Sequence, residues 1–178
     1  MRWPLMSEDT ASQIPTAPRR LEIWLPIAIV ALDQLTKAMV RSMVPLSASV
    51  EVVSGFMNIT HVRNTGAAFG LFNALDFPFK TVAIAVVALA AIVWVGVYAA
   101  GLSRHHWLAR LGLSFIMGGA AGNLLDRVII GSVVDFVDVY WRTYHFWAFN
   151  VADSAISVGV AIMILDMLGV RAHASKTV

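Results

Sequence analysis

Four stretches of this chain approach the roughly 20 apolar residues needed to cross a bilayer. They run from about Leu21 to Met43, Phe77 to Leu102, Trp107 to Leu125 and Val151 to Val170. Such a chain has few folding options, because lipid offers the backbone no hydrogen-bond partners and each span must satisfy its own as a helix. Composition agrees: of 178 residues, 58% are hydrophobic and only 13% charged, too little charge to cover a soluble domain. The expected fold is an integral membrane protein, mainly α, with four transmembrane helices. One membrane domain over residues 21–170 is expected between cytoplasmic tails at 1–20, disordered, and 171–178. Glu8 and Asp9 stand where a signal peptide would be basic, and no A-x-A exit follows, so the first span reads as retained.

Arg19, Arg20, Arg104, Arg110, Arg171 and Lys176 flank the spans on one side, which predicts both termini on the cytoplasmic side. Two extended-looking segments then lie outside. Residues 50–63 are β-branched and end at the turn-prone N-T-G of 64–66, and residues 132–140 read S-V-V-D-F-V-D-V-Y. They predict a small external β-sheet. Tyr140, Trp141, Tyr144, Phe146, Trp147 and Phe149 suit the headgroup belt. A net charge of +2 gives no footprint for nucleic acid. Without cysteine there is no thiol nucleophile, and the five histidines lack metal-ligand spacing, so neither a metal nor a cofactor is expected.

This topology gathers the costly polar groups at one leaflet. Asp33 and Lys37 fall in the outer half of the first span, and Asn123, Asp126 and Arg127 at the outer end of the third. Asn150 and Asp153 start the fourth, with Asp135 in the loop between. Asp166 alone falls near the inner end. An acid at bilayer depth costs several kcal/mol and marks a functional site by default. Each polar residue also has a structural reading. Asp33 and Lys37 form an i,i+4 pair, Asp126 beside Arg127 an interfacial salt bridge at a helix end, and Asn150 an N-cap. Asp138 falls on the strand face opposite Asp135 and suits solvent or loop contacts, while the small residues from Met117 to Gly122 suit close helix packing. Asp153 is the least explained, with only Asn150, Ser154 and Ser157 as local polar support.

Two carboxylates that meet cannot both ionise cheaply, so the pair shares a proton. One member then activates water while the other protonates a carbonyl or leaving amine. A proton-coupled transporter using Asp33, Asp126 and Asp153 needs the same ingredients, although no polar path continues toward the cytoplasm. A Ser–Lys protease built on Lys37 lacks a well-placed serine, and a purely structural four-span protein leaves Asp153 unexplained.

Five blocks in order distinguish these readings: D-Q-L-T-K at 33–37, N-T-G-A-A-F-G at 64–70, G-G-A-A-G-N-L-L-D-R at 118–127, V-V-D-F at 133–136 and F-N-V-A-D-S-A at 149–155. Together they closely resemble the bacterial lipoprotein signal peptidases (signal peptidase II). The resemblance implies an aspartic intramembrane protease of the cytoplasmic (inner) membrane. It would cut prolipoproteins just before their diacylglyceryl-modified cysteine, with Asp135 and Asp153 as catalytic pair. Asp33, Lys37, Asn64, Asn123, Asp126, Arg127 and Asn150 match family positions with structural or substrate-binding roles. A monomer in contact with membrane lipid is expected, with its site at the outer leaflet under the sheet. The loop carrying Asn64 and the aromatic segment Tyr140–Phe149 are expected to hold acyl chains or close over the substrate. Asp135, on a loop, is expected to join Asp153 when substrate binds.

Overall fold

A computed structural model describes residues 20–66, 79–103 and 106–168. The expected N-terminal tail up to residue 19, Arg104, most of the N-T-G-A-A-F-G block, the start of the second span and the C-terminal tail lie outside those residues. The described elements run α1 (Arg20–Met43), β1 (Ser49–Val53), β2 (Met57–Asn64), α2 (Lys80–Gly101), α3 (Trp107–Ile130), β3 (Val133–Trp141), β4 (Tyr144–His145) and α4 (Val151–Met167). Of these helices, α1, α2 and α3 are long and apolar enough to cross a membrane. The described part of α4 has 17 residues.

Burial is inverted relative to a soluble protein. Trp94 is 70% and Val87 69% exposed, whereas Asp33 and Lys37 are fully enclosed. Apolar side chains outside and paired charges inside are what a lipid solvent selects. The buried face of α1 shows the helical period, with Ile29, Asp33, Lys37 and Val40 enclosed. No residue of α2 is buried, and this helix leans on α3 as an apolar prop.

Helix α3 is the hub, packing on α4, α1 and α2. Glycines permit its approach to α4. A Cβ on Gly112 would stand 2.8 Å from the carbonyl oxygen of Gly159, and one on Gly159 would stand 2.6 Å from that of Gly112. Backbones this close leave no room for a side chain. At its far end α3 stops at Gly131, whose φ of 75° favours glycine, and the chain turns directly into β3.

The four strands form one antiparallel sheet in the order β1-β2-β3-β4. The small sheet read from residues 50–63 and 132–140 is therefore present, as a single unit. Its register corrects one expectation: Asp135 lies within β3, opposite Val62, and not on a loop. Asn64 pairs with Val133 and Trp141 with Tyr144, so the Asn64 turn and the aromatic hairpin leave opposite ends of β3. Asp138 accepts from Asn58 Nδ2 at 3.0 Å and faces His145 Nδ1 at 2.9 Å.

At the N-terminal end of α3, Arg110 lies in the first turn and is buried against Glu22. Its Nε donates to Glu22 Oε1 at 2.8 Å and its Nη1 to the Leu102 carbonyl at 2.6 Å. The arginine read as a loop charge is thus a clamp joining the starts of α1 and α3 to the end of α2.

Candidate active site

The path from Asp135 to Asp153 begins with backbone geometry. The amides of Phe136 and Val137 donate to the Phe149 carbonyl at 3.0 and 2.8 Å, drawing the segment before α4 onto β3. Asn150, the next residue, is fully buried and caps α4. Its Oδ1 accepts from the Asp153 amide at 2.9 Å, while its own amide donates to Asp153 Oδ2 at 3.2 Å, a reciprocal capping box. With Oδ1 committed to that amide, Nδ2 faces β3 and donates to Asp135 Oδ1 at 2.7 Å. One residue therefore donates to both carboxylates, to Asp135 through its side chain and to Asp153 through its backbone amide.

A second chain of donors begins at Lys37. An ammonium has three protons and no lone pair, and three acceptors surround it: Asp33 Oδ2 at 2.8 Å, Asp126 Oδ2 at 3.0 Å and Asn123 Oδ1 at 2.9 Å. Because Asn123 must show Lys37 its oxygen, its Nδ2 faces the other way and donates to Asp153 Oδ1 at 2.8 Å. Asn64, two positions along the sheet from the partner of Asp135, donates its Nδ2 to Asp135 Oδ2 at 3.0 Å. Both carboxylates are thus held by amide donors whose orientation the surrounding charges dictate.

Burial pushes the Asp135 carboxyl up to about 7, and the charge of Asp153 adds to the rise. Hydrogen bonds from Asn64 and Asn150, and then the charge of Lys37, pull it back. Asp135 therefore titrates close to neutrality, where an acid/base group is most useful.

All nine residues singled out in the sequence gather at this end of the bundle. The Asp33–Lys37 pair is present, but Asp126 does not form the expected bridge with Arg127. It binds Lys37, and α3 continues past it to Ile130. Arg127 donates to the Asn123 carbonyl at 3.1 Å and to the Gly66 carbonyl at 2.8 Å, tying α3 to the turn that follows Asn64. It lies within electrostatic reach of Asp153, Asp135 and Asp126. Ser154 does not support Asp153 either, since its hydroxyl donates to the Asn150 carbonyl. Gln34 was not singled out, yet its Nε2 lies 3.2 Å from Asp33 Oδ2, from the Gly122 carbonyl and from Asp126 Oδ1. Its place beside Asp33 in the first block was the available signal.

The family profile described as signal peptidase (SPase) II matches residues 25–169. The lipoprotein signal peptidase of Geobacter metallireducens is 47% identical over 147 residues, covering 82% of this chain and 88% of that protein. That of Geobacter sulfurreducens is 44% identical over 137 residues, covering 77% and 84%. A solved bacterial membrane enzyme is 32% identical, with a TM-score of 0.72 over 83% of this chain and 92% of the other.

Proposed function

This chain belongs to the signal peptidase II family, and from that premise we propose that Asp135 and Asp153 form the catalytic dyad with which it removes signal peptides from prolipoproteins. The observation that carries the proposal is the contact of one buried residue, Asn150, with both carboxylates, its side-chain amide donating to Asp135 and its backbone amide to Asp153. The cut falls before the diacylglyceryl-modified cysteine.

The chemistry follows from sharing one proton across the pair. The ionised member takes a proton from water as its oxygen attacks the carbonyl carbon, and the protonated member gives its proton to the carbonyl oxygen. The tetrahedral diol then collapses: the C–N bond breaks, the nitrogen takes a proton from the acid just charged, and the other carboxylate recovers the remaining one. Asn64, Asn123 and Asn150 hold the acids. Arg127 holds the Asn64 turn, while Asp33, Lys37 and Asp126 form the supporting charge cluster.

The apolar exteriors of α1, α2 and α3 face lipid, and α4 serves as a fourth span. At 1.5 Å per residue its described part already reaches about 26 Å, close to the roughly 30 Å of the hydrocarbon core. We assign the protein to the inner membrane with both termini cytoplasmic and the dyad at the outer leaflet, beneath the sheet. A signal peptide, itself an apolar helix, then brings its cleavage site and lipid anchor to the same depth. The enzyme works as a monomer in contact with lipid.

The test is cleavage of a diacylglyceryl-modified prolipoprotein by purified protein in detergent with EDTA present. Wild type cleaves, while Asp135→Asn and Asp153→Asn each lose nearly all turnover and still bind substrate. Turnover near wild type in either variant removes the dyad.

A further inference from the structure

We propose that Lys37 is a positioning residue that sets the separation of the two acids, its ammonium joining one carboxylate that grips the strand of Asp135 to another that grips the helix of Asp153. The inference rests on the dyad reading above and adds what holds the dyad to its spacing.

The geometry is symmetrical about the ammonium. Asp126 Oδ2 accepts the Val134 amide at 3.1 Å, one residue before Asp135. Asp33 Oδ1 accepts the Ala152 amide at 3.0 Å, one residue before Asp153. Lys37 binds both carboxylates, at 3.0 and 2.8 Å. Each acid-bearing segment is therefore anchored by the amide next to its acid, and both anchors end on one nitrogen. The third proton of that nitrogen goes to Asn123, the donor to Asp153. All the participants are enclosed: Asp33, Lys37 and Asp126 are exposed by 1% or less.

Stability is a poor reason for such a centre. Replacing a buried ion pair by well-packed apolar groups is often neutral or stabilising. An ionic centre instead imposes short, fixed contact distances on segments far apart in sequence. Val134 and Ala152 belong to different elements, whose approach is also held by the pairing of Phe149 with β3 and by Asn150 Nδ2 on the Val134 carbonyl. A dyad needs that separation held, since a misplacement of about 1 Å costs about 100-fold in rate.

Lys37→Met leaves Asp33 a buried acid without its cation and Asp126 with only Arg41, at 4.0 Å, and is prone to misfold. The second variant, Asp33→Asn with Lys37→Met and Asp126→Asn, removes the charge but keeps amide oxygens able to accept from Ala152 and Val134. Turnover of the lipid-modified substrate is measured beside Asp135→Asn. Spin labels at Trp141→Cys and Val158→Cys report the strand-to-helix distance in this chain, which has no cysteine of its own. The triple variant is expected to lose about 100-fold in kcat with KM unchanged, and its distance distribution to broaden. A merely structural lysine would lower the thermal midpoint and leave both readouts alone. A folded triple variant with wild-type kcat and distances overturns the positioning role while inactive Asp135→Asn leaves the dyad standing. Active Asp135→Asn overturns the dyad, and this proposal with it.

Discussion

Asn64→Ala removes one of the two amide donors on Asp135 and should move the alkaline limb of the pH–rate profile upward. The lost bond is Asn64 Nδ2 to Asp135 Oδ2, at 3.0 Å. It favours the ionised acid, so its loss raises a carboxyl already pushed to about 7 by burial and then by the charge of Asp153. A hydrogen bond to a charged group contributes about 1.5–3 kcal/mol. Asn64 is only half-buried, and water replaces part of the bond, leaving about 1 kcal/mol. At 1.36 kcal/mol per pKa unit that is an upward shift of about 0.7 unit. If the peptidase needs one proton on the pair, the alkaline limb of kcat/KM reports its loss from the free enzyme. Wild type should lose activity as pH rises through about 7, and the variant about 0.7 unit later, from a lower maximum. The assay is cleavage of the lipid-modified substrate in detergent across that range. A limb that stays put or moves down, with the maximum still reduced, refutes the assignment of that proton to Asp135.

The same group predicts a stability trend. Folded Asp135 holds a proton up to about 7, against 3.8 for an unperturbed carboxyl, so the folded state binds more protons between those values. Its contribution is complete below the lower value and lost as pH rises to the upper; the thermal midpoint should fall across that window in wild type, and equal slopes in Asp135→Asn would refute it. Glu22→Gln weakens the clamp on Arg110 at the other end of the bundle. It should cost about 1–3 kcal/mol and lower the midpoint, with kcat of the folded protein unchanged in a turnover assay. In Gly122→Ala the new Cβ would stand 2.7 Å from Asp33 Oδ2 and 3.4 Å from Ala152 Cβ. Overpacking of this kind costs about 1–3 kcal/mol, and because Asp33 anchors Ala152, kcat should fall along with the midpoint; a midpoint shift alone would refute that link.

Much of this site was legible because the cost of placing charge in lipid is local and additive along a sequence. Asp33, Lys37, Asp126, Asp135 and Asp153 stand out against an apolar background without any knowledge of contacts. Likewise, the length of the apolar runs accounts for α1, α2 and α3, and β-branched runs account for β1 to β3. The N-cap role of Asn150 is similarly short-range, since donor and acceptor lie three residues apart.

Partner choice was not legible, because it depends on which elements pack. Asp126 adjoins Arg127 in sequence, yet successive residues on a helix point apart, and the approach of α1 delivers Lys37 instead. Arg110 resembled a loop charge until α1 brought Glu22 beside it. Asp135 resembled a loop residue until pairing with β2 made it part of a sheet. Local chemistry along the chain set the solvent, the helices and the list of residues too costly to be accidental. Which proton each of those residues accepts was settled by packing, because the Lys37 ammonium, with three donors and no lone pair, turns the Asn123 oxygen toward itself only once α1 and α3 have met.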